Sequence, residues 1–164
     1  MTPGQLQSEE YYGIKILRDG TWLYGGTPIL RHNLVKLFAT GLKRDEKGDY
    51  WLETPYEKGR IEVEDAPFTA VELQIESSGK NRKLLFRTNL DDWVEAGPDH
   101  PLRVETAADG APAPYILVRG RLEAKISRAV FYQLVDIAEA AENDAGLFGV
   151  WAGNIFYPLG RAET

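Results

Sequence analysis

The feature that most constrains the fold of this chain is a repeated alternation of apolar and polar residues, interrupted by turn signals every few positions. The alternation is clear in "RIEVED" (residues 60–65), "FTAVELQIE" (68–76) and "RLEAKI" (121–126). Successive side chains of a β-strand point to opposite faces, so each segment predicts a strand with one buried face. Asp19-Gly20, between two such segments, predicts a tight hairpin.

Only two stretches have a helical period. In the first, Leu34, Leu37, Phe38 and Leu42 recur at i, i+3, i+4 and i+8, which predicts one apolar stripe facing the core. In the second, Ser127 is a predicted N-cap. The apolar stripe of this second helix is predicted to comprise Val130, Leu134, Ile137, Ala138 and Ala141. Many hairpins with only two helices predict an α+β fold, because a parallel sheet needs a crossover helix for each strand.

The two helices begin in similar sequence: "ILRHNLVKLF" starts at Ile29 and "ISRAVFYQLV" starts at Ile126. One interpretation is a duplicated strand–helix–strand unit, which would place Arg31 and Arg128 in equivalent positions. The alternative is that any two amphipathic strand-to-helix junctions look alike. We therefore expect two small lobes of antiparallel strands, each wrapped around one helix, with an N-terminal lobe of residues 1–66 and a C-terminal lobe of residues 67–164.

Composition excludes several function classes. The 164 residues contain no cysteine, which excludes disulfides, thiolate metal sites and cysteine nucleophiles. The net charge is −6; residues 1–60 carry nine Lys/Arg against eight Asp/Glu, and the remainder carries ten against seventeen. An acidic second half argues against nucleic acid as a partner.

The N-terminal sequence resembles no signal peptide, and no apolar run reaches the roughly 18 residues that a membrane span requires. We expect a cytoplasmic protein without a membrane partner; the sequence leaves the oligomeric state open. His32 and His100 are the only histidines, and neither a Gly-x-Ser-x-Gly elbow nor a phosphate-binding loop is present. The sequence therefore predicts no metal site and no cofactor.

The segment "FRTNLDDWVEAGPDHPLRVE" (residues 86–105) carries the strongest candidate for catalysis. His100 stands beside Asp99, with Asp91 and Asp92 upstream, and a carboxylate next to an imidazole is what a general base uses. The simpler interpretation is an architectural connection. In it, Asn89 caps one turn of helix, Trp93 is a buried anchor, and His100 closes a proline-rich turn.

Arg31 and Arg128 each precede the apolar stripe of a predicted helix. The guanidinium group there is expected to pair with a carboxylate of a neighbouring strand. The alternative is that it binds a phosphate or carboxylate ligand.

Several longer phrases occur in one order along the chain: "WLYGGTPILRHNLVKLFA", "FRTNLDDWVEAGPDHPLRV", "PYILVRGRLEAKISRAVFYQLV" and "GVWAGNIFYPLG". In these phrases, from about Asp19 to Gly160, the chain resembles a bacterial family catalogued as domain of unknown function 1285. The resemblance implies an α+β protein of two small lobes with a signalling or regulatory role. It brings no catalytic residue, substrate or cofactor.

Two function classes follow. The first, which we favour, is a cytoplasmic binding or regulatory protein of bacterial signal transduction that recognises a small anionic ligand or a protein partner. The candidate ligand-binding residues are Arg31, Arg128, Asn89 and His100. The alternative is a small hydrolase-like enzyme that uses His100 with Asp91 or Asp92.

Overall fold

The computed structural model describes residues 11–55 and 58–162 as a strand-rich chain with two short helices. The elements in chain order are β1 (Tyr11–Ile16), β2 (Trp22–Tyr24), β3 (Thr27–Pro28), α1 (His32–Ala39), β4 (Leu42–Arg44), β5 (Tyr50–Glu53), β6 (Lys58–Val63), β7 (Phe68–Glu76), β8 (Lys83–Thr88), β9 (Trp93–Glu95), β10 (Leu102–Thr106), β11 (Pro112–Arg119), β12 (Leu122–Ile126), α2 (Arg128–Asp136), β13 (Glu139–Ala141), β14 (Asp144–Ala152) and β15 (Ile155–Arg161). The residues fall into two compact units: one ends at Pro67 and also includes residues 120–122, and the other contains the rest of the chain from Phe68.

The N-terminal unit contains a six-stranded sheet in the order β3-β2-β1-β6-β5-β4. Antiparallel pairing joins β1 to β2 and β2 to β3 on one side, and β4 to β5 and β5 to β6 on the other. The central strands β1 and β6 pair in parallel. Helix α1 connects β3 to β4, which are the two edges of this sheet.

The C-terminal unit repeats this strand order. Its six-stranded sheet runs β10-β11-β12-β7-β8-β9, and its central strands β7 and β12 are again parallel. Numbered by rank within each sheet, the N-terminal sheet reads third, second, first, sixth, fifth, fourth, and the C-terminal sheet reads the same from its β9 edge. The predicted α+β class and the duplication are confirmed, with antiparallel hairpins flanking one parallel pair in each sheet.

The duplication lies in the sheets and not in the strand–helix junctions. Helix α1 joins the third and fourth strands of its sheet, whereas α2 follows the sixth strand and leads into a separate sheet of β13, β14 and β15. Arg31 and Arg128 are therefore not in topologically equivalent positions, contrary to the interpretation from their similar flanking sequences. Those sequences resemble each other because amphipathic strand-to-helix junctions share one pattern.

Helix α2 begins where the sequence predicts but ends early. The hydroxyl of Ser127 accepts a hydrogen bond from the N–H of Val130 at 3.3 Å, which confirms the predicted N-cap. The helix ends at Asp136, and the predicted extension to Ala141 is wrong because residues 139–141 form β13 and pair with β14. Glu and Ala favour a helix locally, but strand pairing in the folded protein overrides this weak preference.

Helix α1 is rotated relative to the prediction. Its buried residues are Val35 and Ala39, while Leu34 and Phe38 are half-buried and Leu37 is 64% exposed. The predicted inward stripe is therefore wrong at Leu37. Five of the eight residues of α1 are apolar, so more than one stripe could have faced the core.

Each six-stranded sheet buries one face. In the N-terminal unit, fully or almost fully buried residues are Ile14, Ile16, Trp22, Leu42, Leu52 and Ile61. In the C-terminal unit, the corresponding set includes Phe68, Ala70, Leu84, Phe86, Ile116, Ala124, Val130 and Leu134. Neither helix in the part of the chain that the structure describes is long and apolar enough to cross a bilayer.

Candidate functional site

The segment that follows β8 forms a tight turn and not a turn of helix. The buried Thr88 hydroxyl accepts hydrogen bonds from the N–H groups of Leu90 and Asp92, at 3.2 and 3.3 Å. Thr88 thus caps the backbone N–H groups that follow, the role that was predicted for Asn89. The Asn89 side chain instead accepts a bond from the N–H of Thr69 at 3.0 Å, so it joins this turn to the start of β7.

The prediction that Trp93 is a buried anchor is wrong. Trp93 is 43% exposed, and Val94 is buried. Residues 93–95 form β9, in which successive side chains point to opposite faces. Val94 consequently faces the core opposite Phe86, and Trp93 lies on the outer face opposite Arg87.

Asp91 and Asp92 lie on the surface of this turn. Asp91 has a positive φ of 71° and accepts a hydrogen bond from the Arg87 guanidinium at 3.1 Å. Arg87 also donates to Glu72 at 2.7 Å; this hydrogen bond is the main reason why the pKa of Arg87 lies above its usual value. The contacts of Asp91 are those of a structural ion-pair network.

His100 closes the turn that begins at Gly97. The backbone N–H and C=O groups of these two residues bond to each other at 3.0 and 3.1 Å. The Nδ1–H of His100 donates to the carbonyl of Leu117 at 2.9 Å, and the ring is half-buried. Within residues 11–55 and 58–162, no hydrogen bond or ion pair joins the His100 ring to a carboxylate, so His100 is not brought together with Asp91 or Asp92.

The structure does not bring the other candidate site residues together either. Across the described ranges, no group of three or more His, Asp or Glu side chains could hold a metal ion. Arg31 and Arg128 are both exposed, and each lies in its own unit. The predicted ion pair is not observed for either residue among the described residues.

The most unusual surface of the protein lies on α1. Leu30 is 89% exposed, Leu37 is 64% exposed, and Leu34 between them is half-buried. Leu34 and Leu37 stand at i and i+3 on α1, whereas Leu30 lies in the segment just before the helix; we call these three residues the leucine row. Leu34 and Leu37 line an open hollow of about 550 Å³ together with Arg31, His32 and Asn33.

We name Leu30, Arg31, His32, Leu34 and Leu37 the α1 surface. The sequence-based interpretation missed it because it assigned Leu34 and Leu37 to the core. One signal was present: the eight residues of α1 are apolar on more than one side, which exceeds what a helix packed on one sheet needs. Contiguous exposed apolar residues of this kind mark interaction sites more often than isolated ones do.

The architecture defines the class of this protein: a two-lobed α+β protein built from a duplicated six-stranded sheet. Family models for a domain of unknown function (DUF1285), N-terminal domain, and for a protein of unknown function (DUF1285), C-terminal domain, match residues 6–66 and 67–159. The chain therefore belongs to the DUF1285 family, and the resemblance found in the sequence is confirmed.

Two crystal structures of bacterial DUF1285 proteins are similar to this chain. The protein from Silicibacter pomeroyi is 41% identical with a TM-score of 0.87, over 98% of this chain and 88% of that one. The protein from Shewanella baltica is 28% identical with a TM-score of 0.60, over 77% of this chain and 93% of that one. No curated protein matches the chain. These similarities support the fold and the family, and they carry no assigned activity.

Proposed function

We propose that this protein is a cytoplasmic, non-catalytic binding protein with a regulatory role, and that it recognises a protein partner through the α1 surface. The observation that carries the proposal is the row of Leu30, Leu34 and Leu37, two of which are mostly exposed. Apolar side chains on one face of an amphipathic helix commonly anchor it to a protein partner.

Energetics support a role for this row in binding. Fully burying a leucine side chain is worth about 1.5–3 kcal/mol. Leu30 and Leu37 gain little of this on folding because most of their surface stays in water. A partner that covers both would gain several kcal/mol of favourable interaction from two side chains.

Two alternatives are less well supported. A small anionic ligand would need an enclosed pocket to bury most of its surface, whereas the hollow beside Arg31 is open. An enzyme would need a base beside its orienting carboxylate, whereas His100 donates to the Leu117 carbonyl. Arg128 and Asn89 lie outside the α1 surface, and Asn89 bonds to the backbone of Thr69.

The test begins with a photo-crosslinking amino acid at position 37 of the full-length protein, which identifies the protein in contact with the α1 surface. The dissociation constant for that purified partner is then measured with the wild type and with Leu30→Asp/Leu37→Asp. We expect the double variant to bind roughly 100-fold more weakly, because its anchors carry charge.

Two control variants separate this proposal from the alternatives. Tyr132→Asp alters a comparably exposed residue, 58%, on α2 and should leave the affinity unchanged. His100→Ala should also leave it unchanged. The proposal is wrong if the double variant keeps its fold by circular dichroism and binds like the wild type, or if His100→Ala abolishes binding at an unchanged melting temperature.

A further inference from the structure

We infer that a second copy of this chain pairs with an open edge of β7, so that the C-terminal sheets of two copies join in an antiparallel dimer with its two-fold axis at Leu73. The edge consists of residues 71–76, and we name it the β7 edge. This inference goes beyond the proposed function, because the β7 edge lies in the C-terminal unit and the α1 surface lies in the N-terminal unit.

The β7 edge is open because β12 accompanies only the first third of β7. The parallel pairing of these strands covers residues 68–70, after which the N–H of Ser127 donates to the carbonyl of Ala70 at 3.0 Å. The chain then turns into α2, which begins at Arg128. From residue 71 to residue 76, the backbone of β7 pairs with β8 on one side and with no other strand of the described chain on the other.

The side chains of the β7 edge remain largely in water. Five of its six residues are exposed, among them Val71 at 39% and Ile75 at 41%. Leu73 is half-buried and lies opposite the buried Phe86 of β8, so it belongs to the inner face of the sheet. At about 3.3 Å per residue the edge is ~20 Å long, and an accessible edge of this length with apolar side chains is a template for another strand.

The other sheet edges suit a second strand less well. The outermost strands β3, β4, β9 and β13 each have two or three residues, which leaves few backbone groups to pair. The outermost strands β10 and β15 are longer, but they contact each other. The β7 edge is therefore the long edge that another chain can approach.

The sequence of the β7 edge complements itself about one two-fold axis. In an antiparallel pair, residues that stand directly opposite each other lie on the same face and interact. When the axis passes at Leu73, that residue faces its own counterpart, and Glu72 faces Gln74. Val71 and Ile75 then come together at the ends of the pairing. Apolar residues meet apolar residues, and each carboxylate meets an amide.

Neighbouring axes bring like charges together. An axis at Gln74 places Glu72 opposite Glu76 on both sides, and an axis at Glu72 places that residue opposite its own counterpart. Like charges directly opposite each other destabilise a strand pair. The two glutamates thus select the axis at Leu73 and act against other pairings, as charged residues on strand edges commonly do.

A dimer of this kind is closed and weak. A two-fold interface uses the same surface on both copies, so pairing consumes both β7 edges and leads to no further growth. A strand of six residues from each copy buries less than a standard interface. We therefore expect a dissociation constant in the micromolar range.

Sedimentation equilibrium of the full-length protein from about 5 to about 500 µM is the first test. We expect a reversible monomer–dimer equilibrium. Gln74→Lys should tighten the dimer by about 3- to 10-fold, because each lysine faces Glu72 of the second copy. Gln74→Glu should weaken it by a similar factor, and both effects should shrink in about 300 mM NaCl. Gln133→Lys on α2 is the matched control, since Gln133 is also an exposed glutamine, and it should change nothing.

Engineered disulfides test the position of the axis. The chain has no cysteine, so a single substitution gives one thiol per copy. In Leu73→Cys the two Cα atoms lie about 5 Å apart and oxidised glutathione should link the copies. In Gln74→Cys they lie more than about 7 Å apart, so linking should be at least about 10-fold slower. Gln133→Cys reports random collision, and melting temperatures show that each variant is folded.

The outcomes are distinct from those of the proposed function. A monomer at every concentration, with Leu73→Cys linked no faster than Gln133→Cys, would overturn the inference. Weaker dimers of Gln74→Lys and Gln74→Glu alike would overturn it by excluding the axis at Leu73. Dimers that Leu30→Asp/Leu37→Asp abolishes would overturn it in favour of the α1 surface. None of these results replaces photo-crosslinking at position 37, which tests the proposed function separately.

Discussion

The two helices of this protein use similar sequences in opposite ways. Helix α2 has a side-chain cap at Ser127 and buries Val130 and Leu134 almost completely. Helix α1 has Arg31 at its N-cap position with no side-chain cap, and its two buried residues are Val35 and Ala39. The large apolar residues of α1 stay partly or mostly in water.

This difference separates a helix that stabilises its lobe from one that offers a surface. Leu134 and Leu37 occupy the same place in the two similar sequences, yet Leu134 is fully buried and Leu37 is 64% exposed. The apolar surface that is buried on folding stabilises the fold, and the apolar surface that stays exposed can stabilise a complex when a partner covers it. Leucine at this position therefore stabilises the fold in one lobe and is accessible for binding in the other.

The largest expected effect tests this difference directly. Leu134→Ala should lower the free energy of unfolding by about 2–5 kcal/mol, because it leaves a cavity in a packed core. Leu37→Ala should lower it by less than about 0.5 kcal/mol. Urea denaturation of both variants measures the contrast, and equal losses would mean that the two helices are buried alike.

A smaller effect is expected at the N-caps. Ser127→Ala should cost about 0.5–2 kcal/mol, because the N–H of Val130 loses its partner. Arg31→Ser should have the opposite sign and stabilise the protein by up to about 1 kcal/mol, since Arg31 already has the extended φ and ψ of −79° and 105° that an N-cap adopts. Thermal melts of both variants provide the measurement; destabilisation by Arg31→Ser would show that α1 begins differently.

The smallest expected effect is the response of each lobe to acid. In the N-terminal lobe, the indole N–H of Trp51 and backbone N–H groups lower the pKa of Asp45 below its ordinary 3.8. In the C-terminal lobe, Arg161 and the N–H of Gly146 lower the pKa of Asp144 in the same way. A depressed carboxyl pKa adds stability that is present above the ordinary value and is lost as pH falls through the folded-state value.

We therefore expect the melting temperature to fall as pH decreases from about 5 to about 3. Asp45→Asn and Asp144→Asn should each make that fall shallower, by a small amount because both carboxylates are at the surface. If the melting temperature falls as steeply with decreasing pH in both variants as in the wild type, these two carboxylates do not contribute to the acid sensitivity.

Local patterns predicted most of the fold because they are physically local. Alternation in "RIEVED" (residues 60–65) and "RLEAKI" (121–126) leads directly to β6 and β12, since one face of each sheet is buried. Ser127 caps α2 because a hydroxyl reaches an N–H three residues away without help from the rest of the protein. The early end of α2 was missed because β13 depends on pairing with β14.

The candidate sites were less predictable. His100 and the aspartates are close in sequence, but the turn directs His100 to the carbonyl of Leu117 and Asp91 to Arg87. Trp93 was assigned to the core on its size alone, whereas its position in β9 places it on the outer face. Which side chains converge depends on backbone directions that are set by distant strands.

The sequence by itself determined the period of most elements, the cap of α2, the absence of cysteine chemistry and the apolar excess of α1. Only the tertiary structure decided which apolar stripe of α1 is buried. Leu34, Val35, Leu37, Phe38 and Ala39 offer several inward faces of similar hydrophobicity. Short connections join α1 to β3 and to β4, which lie at opposite edges of one sheet. A helix can bury only the side that its connections turn toward the sheet. In α1 this side carries Val35 and Ala39, and Leu30 and Leu37 stay outside.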